Sequence, residues 1–170
     1  MTNKQLYAQF CESNPDLPLF MRDWWLDAVC AGKQWDAFIE KDANGEICAA
    51  LPYLFRTRAR MNYIVMPQMT QIGGLWLRND IRNDAQAVKR VCASLNEQLL
   101  SLKLCYYYQQ YPLHSIAPQA MQELGFKLTK RITYRIEDLT DLDKVINAFS
   151  KNKKRQLQKA LSLHVDYNLN

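Results

Sequence analysis

Residues 35–55, WDAFIEKDANGEICAALPYLF, decide how the chain folds. Two runs rich in aromatic and aliphatic side chains flank Asn44-Gly45. That dipeptide tolerates the positive φ angles a tight hairpin turn demands, so the stretch predicts an antiparallel pair of strands. Pro52 brings no N–H to a ladder and predicts a bulge or a sheet edge within the second strand.

Upstream, residues 4–12 and 20–30 read as two helices separated by Pro15 and Pro18. In the second, Phe20, Trp24, Trp25, Ala28 and Val29 gather on one face, which reads as core in preference to a stacking platform for a base or sugar. Downstream, MNYIVMPQMTQIGGLWL (61–77) predicts one or two extended pieces, with a sharp bend at Gly73-Gly74. From Asn83 the apolar residues Val88, Val91, Cys92, Leu95, Leu99 and Leu102 recur at helical spacing, with Asn83 and Gln86 as capping residues. LCYYYQQY (104–111) reads as a buried strand in which Tyr107 opposes Tyr106 and Tyr108.

Pro118 suits the first turn of a short helix stopped at Gly125, and FKLTKRITYRIE (126–137) follows as a strand. Thr140 with Asp143 predicts a capped helix through Phe149, Ser150 begins another, and LHVDYNL (163–169) closes as a strand. The element order is that of an α/β domain followed by the opening of a second.

A chain of 170 residues with 48% hydrophobic composition can bury one sizeable core. Its 22 Lys and Arg exceed its 17 Asp and Glu by five. Lys151, Lys153, Lys154, Arg155 and Lys159 equal that excess, so the basic character is read as local to FSKNKKRQLQKA (149–160). The N-terminus has no apolar secretion signal and no run is long enough to span a bilayer, which leads to the expectation of a cytoplasmic protein. Cys11, Cys30, Cys48, Cys92 and Cys105 are odd in number and form no CxxC, and read as reduced core thiols. With His114 and His164 fifty residues apart, a metal site has little to build on.

Leu124-Gly125-Phe126, placed between a short helix and a strand, resembles the GNAT acyltransferase fold. LPLFMRDWWLDAV (17–29), AALPYLF (49–55), MPQMTQIGGLWL (66–77) and above all FSKNKKRQLQKA resemble its Fem-type, FemAB-like branch. The resemblance implies a GNAT-like α/β (α+β) fold with a mixed central sheet flanked by helices. It also implies two such domains in tandem, with residues 1–128 as the first and 129–170 as the start of a second, incomplete one. The implied reaction is transfer of an acetyl or aminoacyl group to an amine. Acyl-CoA or aminoacyl-tRNA would be the donor in the intact protein, and an anionic small molecule or peptide precursor the acceptor. This chain would then be the substrate-side half, expected to be inactive alone.

A GNAT acyl-CoA site needs a glycine-rich loop before its long helix, because pyrophosphate docks on bare backbone N–H groups there. The corresponding LRNDIRND (77–84) has no glycine, and Asp80 and Asp84 oppose phosphate where the helix dipole would attract it. No acyl-CoA is therefore expected on the first domain by itself.

The basic stretch forms one amphipathic helix. Lys151, Lys154, Arg155 and Lys159 are the candidate site for an anionic substrate, Arg155 foremost because a guanidinium grips phosphate bidentately. The bland alternative is a solvated helix face. Tyr107 and His114 are candidates for lining a cleft near a strand end, with a tyrosine hydroxyl as proton donor. No spacing among Asp23, Asp27 and Asp36 singles out an acid-base pair, so no catalytic residue is assigned. Two alternatives to the acyltransferase stand: a non-catalytic binding module, and an RNA- or anion-binding domain, tRNA included, acting through residues 151–159. An unpaired edge at HVDYNL (164–169) leads to the expectation of self-association.

Overall fold

The computed structural model describes residues 1–31, 34–132 and 136–163. The chain divides into two compact units, residues 1–129 and 130–170.

The first unit opens with α1 (Asn3–Ser13), started by a capping box in which Thr2 Oγ1 accepts from Gln5 N–H and Gln5 Oε1 accepts from Thr2 N–H. A single 3-10 turn, Leu19–Met21, leads into α2 (Asp23–Cys30). Arg22 fixes the path between them by donating to the carbonyls of Cys11, Pro15 and Leu17. Tyr7 is fully buried, and its hydroxyl donates to Met21 O at 2.7 Å.

The hairpin forms where it is expected: β1 (Trp35–Lys41) pairs antiparallel with β2 (Ile47–Arg58) around Asn44-Gly45. Gly45 takes φ +82, the left-handed conformation that the turn requires. β3 (Met61–Val65) pairs antiparallel with the far half of β2, and the short β4 (Trp76–Leu77) pairs with its near half. Pro52 therefore sits in a central strand, opposite Ala37, and the irregularity lies at Glu40/Lys41 instead. The proline is tolerated because β2 has no ladder partner beside it between the two shorter strands; there its carbonyl accepts from Gln109 Nε2 at 3.0 Å.

After the one-turn α3 (Asn79–Arg82) comes the long α4 (Ala85–Ser101), then β5 (Leu104–Tyr107), parallel to β3, and α5 (Ala117–Glu123). The result is a mixed five-stranded sheet, with path β1-β2-β3-β5 and β4 on β2, flanked by helices. One face packs Leu51, Tyr53 and Ile64 against Val88, Cys92, Leu95 and Leu99 of α4. The other packs Leu54 and Trp35 against Tyr7, Phe10 and Leu26 of α1 and α2. Each fully buried Leu or Ile in these layers contributes about 1.5–3 kcal/mol.

Several local expectations change. The cap of α4 is Asp84, one residue beyond Asn83, because its carboxylate reaches Gln86 N–H at 2.8 Å. β5 lies on the sheet path beside β3 and is not a buried strand: Cys105 and Tyr106 are exposed, whereas Tyr107 joins the α4-side cluster. Trp24 is 56% exposed, since α2 buries Leu26 and Cys30 and leaves Trp24 off that stripe. Cys11, Cys30, Cys48 and Cys92 are buried and in no disulfide among the described residues, as expected of reduced core thiols, and Cys105 is exposed. Residues 126–132 and 136–137, the described part of the expected strand over 126–137, carry no strand.

In the second unit, α6 (Leu142–Ala148) starts at Asp141, whose carboxylate accepts from Lys144 N–H. Thr140 does not serve as its cap because its own N–H and hydroxyl donate to Asp138. α7 (Lys151–Ser162) starts at Ser150 as expected. The expected terminal strand and its edge at residues 164–169 lie outside the described residues. Among the described residues no helix is long and apolar enough to cross a membrane.

Candidate functional site

An open cleft of about 760 Å³ lies in the first unit, within the size range of small-molecule sites. Its floor is apolar, made by Phe10 of α1 and Trp76 of β4, whose rings meet edge to face at 4.7 Å. The Arg22-held segment after α1 brings Asp16 to one wall. The end of β1 brings Lys41, and α3 brings Arg82.

Arg78 stands on the same wall and is fully engaged. It donates to both oxygens of Asp80 at 2.8 Å and to Asp42 at 2.8 Å, tying the hairpin turn to α3. The guanidinium holds the Asp80 carboxyl down to about 2 and lowers that of Asp42 as well. Lys41 and Arg82 form no ion pair among the described residues, although Arg82 Nη2 donates to Leu77 O at 3.3 Å. The cleft thus offers cations at Lys41 and Arg82 and carboxylates at Asp16 and Glu46 over an aromatic floor.

The start of α4 is built in the opposite sense. Asp84 accepts from Gln86 N–H through its carboxylate and from Val88 N–H through its carbonyl, while Asp80 stays ionised one turn earlier. The Asp84 carboxylate at the helix N-terminus stabilises the helix and opposes phosphate, whereas Asp80 lies in α3 and is paired with Arg78. The neighbouring glycines are also covered: Gly73 N–H donates to Gln110 O at 2.8 Å, and a Cβ at Gly74 would stand 2.7 Å from the Tyr111 ring. The residues at this place do not fit the pyrophosphate of acyl-CoA.

The residues singled out in the sequence fall in separate places. Tyr107 packs on Phe126 with ring centroids 5.4 Å apart, and its hydroxyl lies 3.3 Å from that of Tyr111. Burial pushes the Tyr107 hydroxyl well above the ordinary tyrosine value and that of Tyr111 up to about 12. His114 is exposed in the loop between β5 and α5, and neither Tyr107 nor His114 lines the 760 Å³ cleft. In the second unit, Lys151, Arg155 and Lys159 are exposed on α7. Lys154 Nζ donates to Asn147 O at 2.9 Å, satisfying a last-turn carbonyl of α6, and Arg155 Nη2 donates to Asn152. Among the described residues no cluster of His, Cys, Asp or Glu could hold a metal ion.

Sequence reasoning missed the cleft, and with it Lys41 and Arg82. The fold brings them together from positions 41 residues apart, a spacing that no local motif reports.

No family model matches the sequence, and no curated protein matches it. Solved structures similar to this chain include several N-acetyltransferases. The ribosomal-protein-alanine N-acetyltransferase of Brucella melitensis biovar Abortus 2308 is 10% identical with a TM-score of 0.44, over 80% of this chain and 94% of that one. An aminoglycoside antibiotic 6'-N-acetyltransferase of Acinetobacter baumannii is 15% identical with a TM-score of 0.41, over 82% and 95%. AAC(6')-Iy, in complex with a CoA-linked bisubstrate analog, is 14% identical with a TM-score of 0.44, over 80% and 92%.

Proposed function

We propose that this chain is the acceptor side of a Fem-type N-acyltransferase, one that transfers an acetyl or aminoacyl group to an amine. The observation that carries the reading is the cleft between α1, the hairpin turn and α3. Its paired signs of charge suit a zwitterionic acceptor, with the ammonium beside Asp16 and Glu46 and the carboxylate or phosphate beside Lys41 and Arg82. The apolar part of the acceptor rests on Phe10 and Trp76. The donor, acyl-CoA or aminoacyl-tRNA, is held elsewhere than at the start of α4, where the chain's own carboxylates stand. Within the second unit, the exposed cations of α7, with Arg155 foremost, are a further anion-holding element.

Calorimetric titration with a dipeptide carrying a free amine and a free carboxylate tests the acceptor site. Arg82→Ala with Lys41→Ala is expected to weaken binding about tenfold, as for loss of charge-assisted hydrogen bonds. Unchanged affinity in that variant would sink the assignment.

A second reading, a binding module without catalysis, is favoured by the same closed start of α4. Acyl transfer to an amine by the intact two-domain protein of the first reading, followed by mass spectrometry with acetyl-CoA or aminoacyl-tRNA supplied, separates the two. Covalent modification supports the enzyme; tight acceptor binding without modification supports the module.

A further inference from the structure

The subtraction that assigns the positive excess to α7 conceals a second basic region. β2, β3 and β5 contain no acidic residue at all, and between Glu46 and Asp80 the charged side chains are Arg56, Arg58, Arg60 and Arg78. Arg78 is paired with Asp42 and Asp80, whereas Arg56, Arg58 and Arg60 form no ion pair among the described residues.

The sheet register aligns these cations with aromatic rings. Arg56 is the cross-strand partner of Tyr63, and Tyr63 is the partner of Tyr106, so Arg56, Tyr63 and Tyr106 form one row across β2, β3 and β5. The row exists because the β3–β5 ladder shifts register between Asn62 and Tyr63, pairing Asn62 with Leu104 and Tyr63 with Tyr106. Cys105 is thereby the unpaired residue, its thiol on Asn62 O, and Tyr106 falls on the face of Tyr63.

Arg58, two residues on from Arg56, shares that face. Tyr108 does too, and its ring lies nearly parallel to that of Tyr106, 18° apart with centroids at 6.4 Å. Tyr106 is 53% exposed. At the end of the sheet, Ala59 and Arg60 make the tight turn with φ +49 and +64, and Lys103 immediately precedes β5 at the same end.

We propose that this face of β2, β3 and β5 binds single-stranded nucleic acid, with bases stacked on Tyr106 and Tyr108 and phosphates held by Arg56, Arg58, Arg60 and Lys103. The chemistry is charge complementarity combined with flat aromatic surface. Cations alone would suit any polyanion, whereas the exposed Tyr106 ring and the half-buried Tyr108 ring, set in a cationic strand surface, offer a base a π-face. Neither the acyltransfer reading nor the cleft is required for it.

The test is fluorescence anisotropy of a labelled oligouridylate of about twelve nucleotides, a length within the reach of one such platform, with oligothymidylate as the DNA arm. Binding by the whole chain is expected to weaken as salt rises, with Arg56→Ala and Arg58→Ala each flattening the log-log slope by about 0.7. Tyr106→Ala is expected to weaken binding about tenfold, and Tyr106→Phe to restore it, because stacking needs the ring and not the hydroxyl. Circular dichroism melting of both variants separates lost binding from lost folding.

The proposal would be overturned by no saturable binding below about 100 µM, the weak end of non-specific affinity, by undiminished binding by Tyr106→Ala, or by displacement of the oligonucleotide by polyglutamate as readily as by unlabelled oligonucleotide. Loss of binding only when Lys151, Lys154, Arg155 and Lys159 are replaced together would likewise overturn it, in favour of α7.

Discussion

The start of α4 and the cleft beside α3 are neighbours along the chain, yet they have opposite dispositions toward a ligand. At α4 the Asp84 carboxylate occupies a helix N–H, and Tyr111 fills the space over Gly74. Beside the cleft, Asp42 and Asp80 are held by Arg78, so they do not neutralise Lys41 or Arg82. The difference teaches that formal charge in a segment such as LRNDIRND says little until each side chain has been assigned its partner.

The largest effect expected bears on the wall that only the cleft possesses. Arg22→Ala removes donors to the carbonyls of Cys11, Pro15 and Leu17, and should cost about 2 kcal/mol in denaturant unfolding and loosen the wall of the proposed acceptor site. An unchanged unfolding midpoint would show that the wall stands without it. Gly74→Ala should cost a similar amount, about 2 kcal/mol, because its Cβ must displace the Tyr111 ring at φ +90. A stable alanine variant would mean that the space beside α4 is open after all.

Asp84→Ala should cost about 1 kcal/mol as a lost cap, and Asp84→Asn only a few tenths, since asparagine caps as well. Equal losses in the two would point to charge as the stabilising factor. Smallest is the pH effect of the Arg78 network. Because Asp80 and Asp42 have depressed carboxyl values when folded, their contribution is complete above the ordinary aspartate range near 4 and is lost as pH falls toward about 2. Both groups are solvent-exposed, so a small drop in melting temperature over that interval is expected, with added salt shrinking it.

The features legible in the sequence were those set by neighbours along the chain. The Asn44-Gly45 hairpin, the 3.6-residue stripe of α4, the Gly125 stop and the alternation of Tyr106, Tyr107 and Tyr108 are all encoded within a few residues. Pro52 shows the limit. Its tolerance in a central strand depends on where β3 ends and β4 begins, which are long-range pairings. Asp84 outcompetes Asn83 as cap through geometry that one residue of phase decides.

The candidate surfaces were less visible for a related reason. Lys41 and Arg82 meet only across the folded cleft, and Arg56, Tyr63 and Tyr106 align only after three strands pair in a particular register. Net-charge subtraction counts Arg56, Arg58 and Arg60 as cancelled by acids that the fold leaves on other elements.

The most direct test of the acceptor-side assignment is to titrate acetyl-CoA into this chain by calorimetry, alongside the amine-bearing dipeptide. The expected result is saturable binding of the dipeptide, lost with Lys41→Ala and Arg82→Ala, and no saturable binding of acetyl-CoA. Saturable acetyl-CoA binding that Asp84→Asn strengthens would place the donor at the start of α4 and contradict the assignment.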